Sequence, residues 1–210
     1  MRSAAPFGRE DFHRATGVSR ETLDRLDAYV ALLTKWQRRI NLVSPASLGD
    51  VWRRHLLDSA QLADYLPAAP ARLIDLGSGA GFPGLVLAII TGHDVELIES
   101  DGRKCAFLTA AAAETGAKVT IHEARIEALP RRPADVITAR ACAPLTRLLG
   151  YAERFRGSDT VCLFQKGARV DEELTEAAKT WMMDYRRYPS QTDPQGTLLS
   201  VRDFARVARR

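Results

Sequence analysis

A chain of 210 residues with 46% hydrophobic and 27% charged residues can bury a core of its own without covalent or metal staples. Its formal net charge is +4, carried by twenty-five arginines against five lysines. That balance suits a phosphate-bearing partner, although a genomic bias toward arginine and alanine gives the same composition. The longest apolar run, Leu85 to Ile90, is far too short to span a bilayer, and no apolar signal core follows Met1–Glu10. Cys105, Cys142 and Cys162 are widely spaced, as are His13, His55, His93 and His122, so neither a disulfide framework nor a metal site is expected. The expectation is a cytoplasmic, monomeric protein with reduced thiols, no metal and no membrane partner.

In chain order, the first 70 residues read as a helical extension. Gly8–Thr16 forms a short helix that stops at Gly17. Ser19 caps a long one running through Arg39, with Leu23, Leu26, Tyr29, Val30, Leu33, Trp36 and Ile40 on one stripe. One or two further helices follow Pro45, and Pro67–Pro70 marks a boundary. Trp36 and Trp52 lie on apolar stripes and are assigned to the core.

Residues 71–210 alternate strand and helix. Strands are predicted at Arg72–Leu76, Val95–Ile98, Val119–Ile121, Ala134–Thr138 and Thr160–Phe164. Helices are predicted near Pro83–Thr91 and over Arg103–Thr115, Leu145–Phe155 and Val170–Trp181. Two extended stretches, Met183–Tyr188 and Thr197–Val207, close the chain. This alternation predicts an α/β fold, a mostly parallel twisted sheet with helices on both faces.

The chemistry concentrates where the first strand meets its helix, in Leu73-Ile74-Asp75-Leu76-Gly77-Ser78-Gly79-Ala80-Gly81-Phe82-Pro83-Gly84. Gly79 to Gly84 fits the dinucleotide fingerprint, which places a pyrophosphate at a helix N-terminus. The alternative register, Asp75-x-Gly77-x-Gly79-x-Gly81, sets a carboxylate beside the loop. An acid there repels a pyrophosphate and suits a ligand with an ammonium and a sulfonium, such as S-adenosyl-L-methionine. Glu99 ends the second strand, where an acid binds ribose hydroxyls with either cofactor. Ile126 and Glu127 follow the third strand, beside a place for adenine, and Arg140 follows the fourth. Ligands of open α/β sheets bind outside the carboxyl ends of the strands, where all of these residues fall. Each taken alone reads equally well as a capping acid or a surface arginine.

Three further segments, Trp36-x4-Asn41-Leu42-Val43-Ser44, Arg54-His55-Leu56-Leu57-Asp58-Ser59 and Lys166-Gly167, keep their order around that loop. With them the chain resembles, over nearly its whole length, the bacterial small-subunit ribosomal RNA methyltransferase G family, also called glucose-inhibited division protein B. The resemblance implies a Rossmann-like class I S-adenosylmethionine-dependent methyltransferase fold with an antiparallel last strand. It implies methyl transfer to N7 of guanine 527 in the 530 loop of 16S rRNA, free or in the small subunit. By position it places cofactor contacts on Gly77, Phe82, Ile126, Glu127 and Arg140, with Glu99 at the ribose. Family members often have aspartate at the Glu99 position, and some have leucine at that of Phe82. Arg140, Asp58 and Lys166 become candidates for the reacting base, and Arg53, Arg54, His55, Ser59 and Lys166 for RNA. Two other functions share parts of the pattern: a nicotinamide oxidoreductase using the same loop, and an RNA-binding protein without catalysis.

Overall fold

The computed structural model describes residues 7–68 and 71–208, so Ala69 and Pro70, at the predicted boundary, lie outside the described residues. Helix α1 (Arg9–Thr16) ends at Gly17, and α2 (Arg20–Gln37) begins at Ser19, whose hydroxyl accepts from the Thr22 amide at 3.1 Å. The α2 stripe is buried at Leu23, Leu26, Tyr29 and Leu33. Beyond it, the Gln37 side chain accepts from the amides of Leu42 and Val43 and donates to Val43 O, which turns the chain toward α3 (Pro45–Leu48). The helices expected after Pro45 take an irregular form. A π-helical turn over Trp52–Leu57 runs into α4 (Asp58–Ala60) and then a 3-10 turn over Gln61–Tyr65. Irregular turns of this kind often mark working sites.

The sheet has seven strands in the order β3-β2-β1-β4-β5-β7-β6. They are β1 (Leu73–Leu76), β2 (Val95–Glu99), β3 (Val119–Glu123), β4 (Ala134–Arg140), β5 (Arg156–Lys166), β6 (Trp181–Pro189) and β7 (Thr197–Arg206). The first five run parallel, while β7 pairs antiparallel with both β5 and β6. Strand order reverses between β1 and β4, and that switch point opens a crevice at the carboxyl ends of the strands.

Helices α5 (Gly84–Thr91), α6 (Gly102–Thr115), α7 (Leu145–Ala152) and α8 (Val170–Ala178) connect the strands. One sheet face packs with α5 and α6, and Phe12, Leu26, Tyr29 and Leu33 of the N-terminal helices belong to the same core. The other face packs on α7 and α8. Several predicted boundaries move by a few residues. The helix predicted to reach Trp181 stops at Ala178, and Trp181 opens β6, where its indole is buried against Phe204 and donates to Thr146 O. The fifth strand is longer than its apolar centre because polar residues at both ends complete the ladder with β4 and β7.

One side chain ties the N-terminal helices to the sheet layer. Arg25 of α2 donates to Thr115 O at 2.6 Å, Ile89 O at 3.2 Å and Gly116 O at 3.4 Å, at the C-terminal ends of α6 and α5. A cation there satisfies open carbonyls and complements both helix dipoles. We expect Arg25→Ala to lower the unfolding free energy by about 2 kcal/mol. Urea denaturation measures this, and an unchanged midpoint would contradict it.

Candidate functional site

A cavity of about 1020 Å³ opens at the switch point. Its walls come from the glycine loop after β1, the ends of β2, β4 and β5, the loop after β3, the π turn and the β6–β7 connection.

Gly77, Gly79, Phe82, Glu99, Ile126, Glu127 and Arg140 all line it, as do Arg54, His55, Asp58 and Lys166. Residues as far apart in sequence as Arg54 and Lys166 are thus brought together. The glycine loop explains part of the motif. Gly77 has φ +66°, and a β-carbon on it would lie 2.6 Å from Cys142 Sγ. At Gly84 a β-carbon would lie 2.6 Å from both Asp75 Cβ and Leu97 Cδ2, so only glycine lets α5 sit this close to β1 and β2.

That close packing also decides the place of Asp75. The acid predicted to face the ligand is fully buried beneath the loop and does not line the cavity. Its Oδ1 accepts from Thr138 Oγ1 at 2.7 Å, and burial raises its pKa above the usual carboxylate value. Gly81 likewise lies outside the cavity lining, facing Leu85 and Tyr29. The Tyr29 hydroxyl, from α2, donates to Ala80 O and so fixes the loop from behind.

Glu99 holds the loop from the front. Its Oε2 accepts from the Gly79 amide at 2.9 Å, and its Oε1 accepts from the amides of Ser100 and Asp101 at 2.7 and 2.8 Å. The carboxylate thus orders the backbone around the place where an acid meets ribose. We expect Glu99→Ala to weaken cofactor binding by about 1–3 kcal/mol, through lost hydroxyl contacts and a loosened Gly79. An unchanged dissociation constant in calorimetry would leave Glu99 the role of a loop brace alone.

On the opposite wall, Arg140 is the centre of a polar cluster. Its Nη1 donates to Arg54 O and to Asp58 Oδ2, both at 3.1 Å, and its Nη2 donates to His55 Nδ1 at 2.8 Å. The guanidinium carbon lies 4.8 Å from the centre of the Phe82 ring, and the His55 ring stacks on that same ring at 4.8 Å and 18°. Asp58 is held on every side. Its Oδ1 accepts from Gln61 Nε2 and Thr192 Oγ1, and its backbone carbonyl accepts from Gln165 Nε2.

This geometry fixes the state of His55. Arginine has no acceptor, so Nδ1 must be the bare nitrogen and Nε2 carries the proton, which it donates to Ser47 Oγ at 2.9 Å. Burial, then Arg140 and Arg54, push its pKa down to about 3. Between about pH 3 and pH 6.5 the unfolded chain takes up a proton that the folded chain refuses. Stability is therefore expected to fall as pH drops through that window, by at most about 1.4 kcal/mol per pH unit, and to gain nothing from this group above it. Urea titrations of wild type and His55→Gln across that range test this: the variant should show a shallower slope, and equal slopes would contradict it.

The remaining predicted residues have other neighbours. The Lys166 side chain is only 7% exposed, and its ammonium binds Glu173 at 2.6 Å and Ala143 O at 3.1 Å, bracing the loop after β4. Arg53 is outside the lining and pairs with Asp50, while Arg54 reaches Asp193 at 3.4 Å at the cavity mouth. Ser59 is buried and donates to His55 O, a contact within the turn. Ser47, Gln61, Cys142, Gln165 and Thr192 carry no local sequence signal and join the site only through the fold. Among the described residues, no group of three or more His, Cys, Asp or Glu side chains could hold a metal ion, and no helix is long and apolar enough to cross a membrane.

Comparison with known proteins points one way. Residues 22–195 match the family model described as rRNA small subunit methyltransferase G. A ribosomal RNA small subunit methyltransferase G from Rhodospirillum centenum is 54% identical over 202 residues, covering 96% of this chain and 94% of its own. One from Rhodospirillum rubrum is 53% identical, covering 94% and 98%. Among solved structures, M. jannaschii TYW2 in complex with AdoMet aligns with TM-score 0.59 at 14% identity, over 81% of this chain and 80% of that one. A TehB-like SAM-dependent methyltransferase from Corynebacterium glutamicum aligns with TM-score 0.55 at 19% identity, over 82% and 97%. Both show that the fold is that of class I methyltransferases.

Proposed function

The chain belongs to the rRNA small subunit methyltransferase G family, and from that premise we propose that it transfers a methyl group from S-adenosyl-L-methionine to N7 of guanine 527 in 16S rRNA. The observation that carries this reading is the cavity itself, with a glycine-and-acid half and a cation-and-aromatic half meeting at one switch point.

The residues present fit the cofactor. The backbone at Gly77 and Gly79 leaves space beside the Glu99 carboxylate, and Ile98 and Ile126 give apolar walls for an adenine. Asp75 acts from behind the loop, as a brace on Thr138, rather than by touching the ligand. When bound, the cofactor supplies an electrophilic methyl group on a sulfonium centre.

Purine N7 offers an in-plane lone pair and carries no proton, so the protein has no proton to remove. A neutral His55 with a pKa near 3 agrees with this, since it serves to position Arg140 and Phe82 rather than to accept a proton. The chain's task is to hold the base in line with the methyl group. The product guanine is cationic, and the Asp58 carboxylate, 3.1 Å from Arg140, keeps the local field close to neutral as that charge develops. Arg54 and Arg125 line the mouth, where RNA phosphates would approach. We propose that the protein acts as a cytoplasmic monomer on ribosomal RNA or the small subunit.

The test uses purified protein, tritiated S-adenosyl-L-methionine, and 16S rRNA or small subunits from a strain lacking the gene. One label at N7 of guanine 527, mapped by chemical cleavage at N7-methylguanine, is the expected result. Absence of label, or label elsewhere, would overturn the assignment.

A further inference from the structure

Gln165 is the last residue but one of β5, paired in register with Arg140 on β4, and both line the cavity. Its amide orientation is settled by one contact. Nε2 donates to Asp58 O at 2.7 Å, and the flipped amide would set two acceptors against each other. Oε1 is therefore an acceptor held in a fixed place, and it is buried without a hydrogen-bond partner. A buried acceptor left unpaired on a residue of the cavity wall calls for a donor, and a ligand seated against that wall is the available source.

Its neighbour is complementary. Arg140 has five N–H groups, and its bonds to Arg54 O, Asp58 Oδ2 and His55 Nδ1 engage three of them. The other two remain for a ligand acceptor. The site thus sets a free donor and a free acceptor side by side on adjacent strands, which lie about 4.8 Å apart. Guanine presents the matching edge, with O6 as acceptor, N1–H and the 2-amino group as donors, and a comparable span. Adenine has a donor where guanine has O6 and a bare N1, so the same pair would oppose it.

We infer that Gln165, acting with Arg140, reads the guanine edge of the target base: Arg140 donates to O6, and Gln165 Oε1 accepts from N1–H or the 2-amino group. The inference rests on the methyl-transfer reading and adds a specificity residue to it. Neither contact touches N7, so that atom stays free to react.

The test crosses the protein variant with the base. The full-length protein is given 16S rRNA carrying guanosine, inosine or 2-aminopurine at the target position, free and in reconstituted small subunits. Inosine lacks the 2-amino group, and 2-aminopurine lacks O6 and N1–H. Wild type should favour guanosine over at least one analogue by roughly ten- to a hundredfold in kcat/KM. In Gln165→Met that preference should fall by about tenfold, leaving over 2-aminopurine only what Arg140 contributes through O6, with cofactor affinity in calorimetry unchanged. Were Gln165 only a support for Asp58, Gln165→Met would slow all three substrates equally, and unchanged ratios would overturn the inference. Should that variant fail to fold, equal wild-type rates on all three bases would overturn it as well. Label on guanosine RNA by wild type separates the two levels: without it the methyl-transfer reading fails, and this inference with it.

Discussion

Arg140→Ala is expected to lower methyl transfer by about a hundred- to a thousandfold, the range found when one preorganised electrostatic group is removed. The guanidinium joins three segments that nothing else joins so directly: the end of β4, the π turn at Arg54–Asp58, and Phe82 of the glycine loop. Removing it leaves the Asp58 carboxylate, with its side chain 16% exposed, without its cation. Breaking such a pair from one side costs about 3 kcal/mol, so the midpoint of unfolding should fall together with the rate. One readout separates positioning from simple destabilisation. Arg140 is the larger of the two charges holding the His55 pKa down, so in the variant that pKa should rise toward its usual value. Imidazole NMR titration reports it directly. Arg140→Lys should not rescue activity, because a single ammonium cannot donate to three acceptors and cover an aromatic face at once. A variant with near wild-type kcat/KM and a His55 pKa still near 3 would remove Arg140 from the centre of the site.

The alternation of strands and helices was legible because it rests on local periodicity, and the glycine loop because close approach and positive φ restrict residue choice to glycine. Depth and partnership were less legible. Asp75 lies on β1 as expected, but how far α5 descends onto that strand depends on Gly84 meeting Leu97, a contact between elements. Lys166 reads as a free cation at a strand end, yet Glu173, one turn into the next helix, takes its charge. The Asp58 cluster is the extreme case. Its partners Arg140, Gln165 and Thr192 are 82, 107 and 134 residues away, and no local pattern connects them. The family resemblance could mark Asp58 and Arg140 as members of a site. Only the fold shows that they pair with each other, and that burial beside Arg140 and Arg54 keeps His55 out of proton chemistry.

Gly77→Asp is expected to abolish cofactor binding while the chain stays folded. Three effects act on one atom position. The backbone is left-handed at φ +66°, which costs an ordinary L-residue about 1–2 kcal/mol. The new β-carbon would lie 2.6 Å from Cys142 Sγ and 3.1 Å from Cys142 Cβ, so the loop after β4 must move. That loop cannot yield freely, because Lys166 holds Ala143 O and Glu173 accepts from the Leu145 amide. The new carboxylate would then stand in the cavity that already receives Glu99, and any ligand acid entering there would meet a second negative charge. Gly77 belongs to neither sheet-face core, and only Cys142, at the edge of the core under α7 and α8, is displaced directly. The loss of stability should therefore stay near 2 kcal/mol, a shift in Tm of a few degrees. Gly77→Ala isolates the first two effects from the charge, and its affinity should fall between those of wild type and Gly77→Asp. Calorimetric titration with S-adenosyl-L-methionine, beside a thermal melt of each variant, checks the series. Binding retained by Gly77→Asp would show that the cofactor does not use this loop, whereas collapse of the melt would show that the loop supports the fold itself.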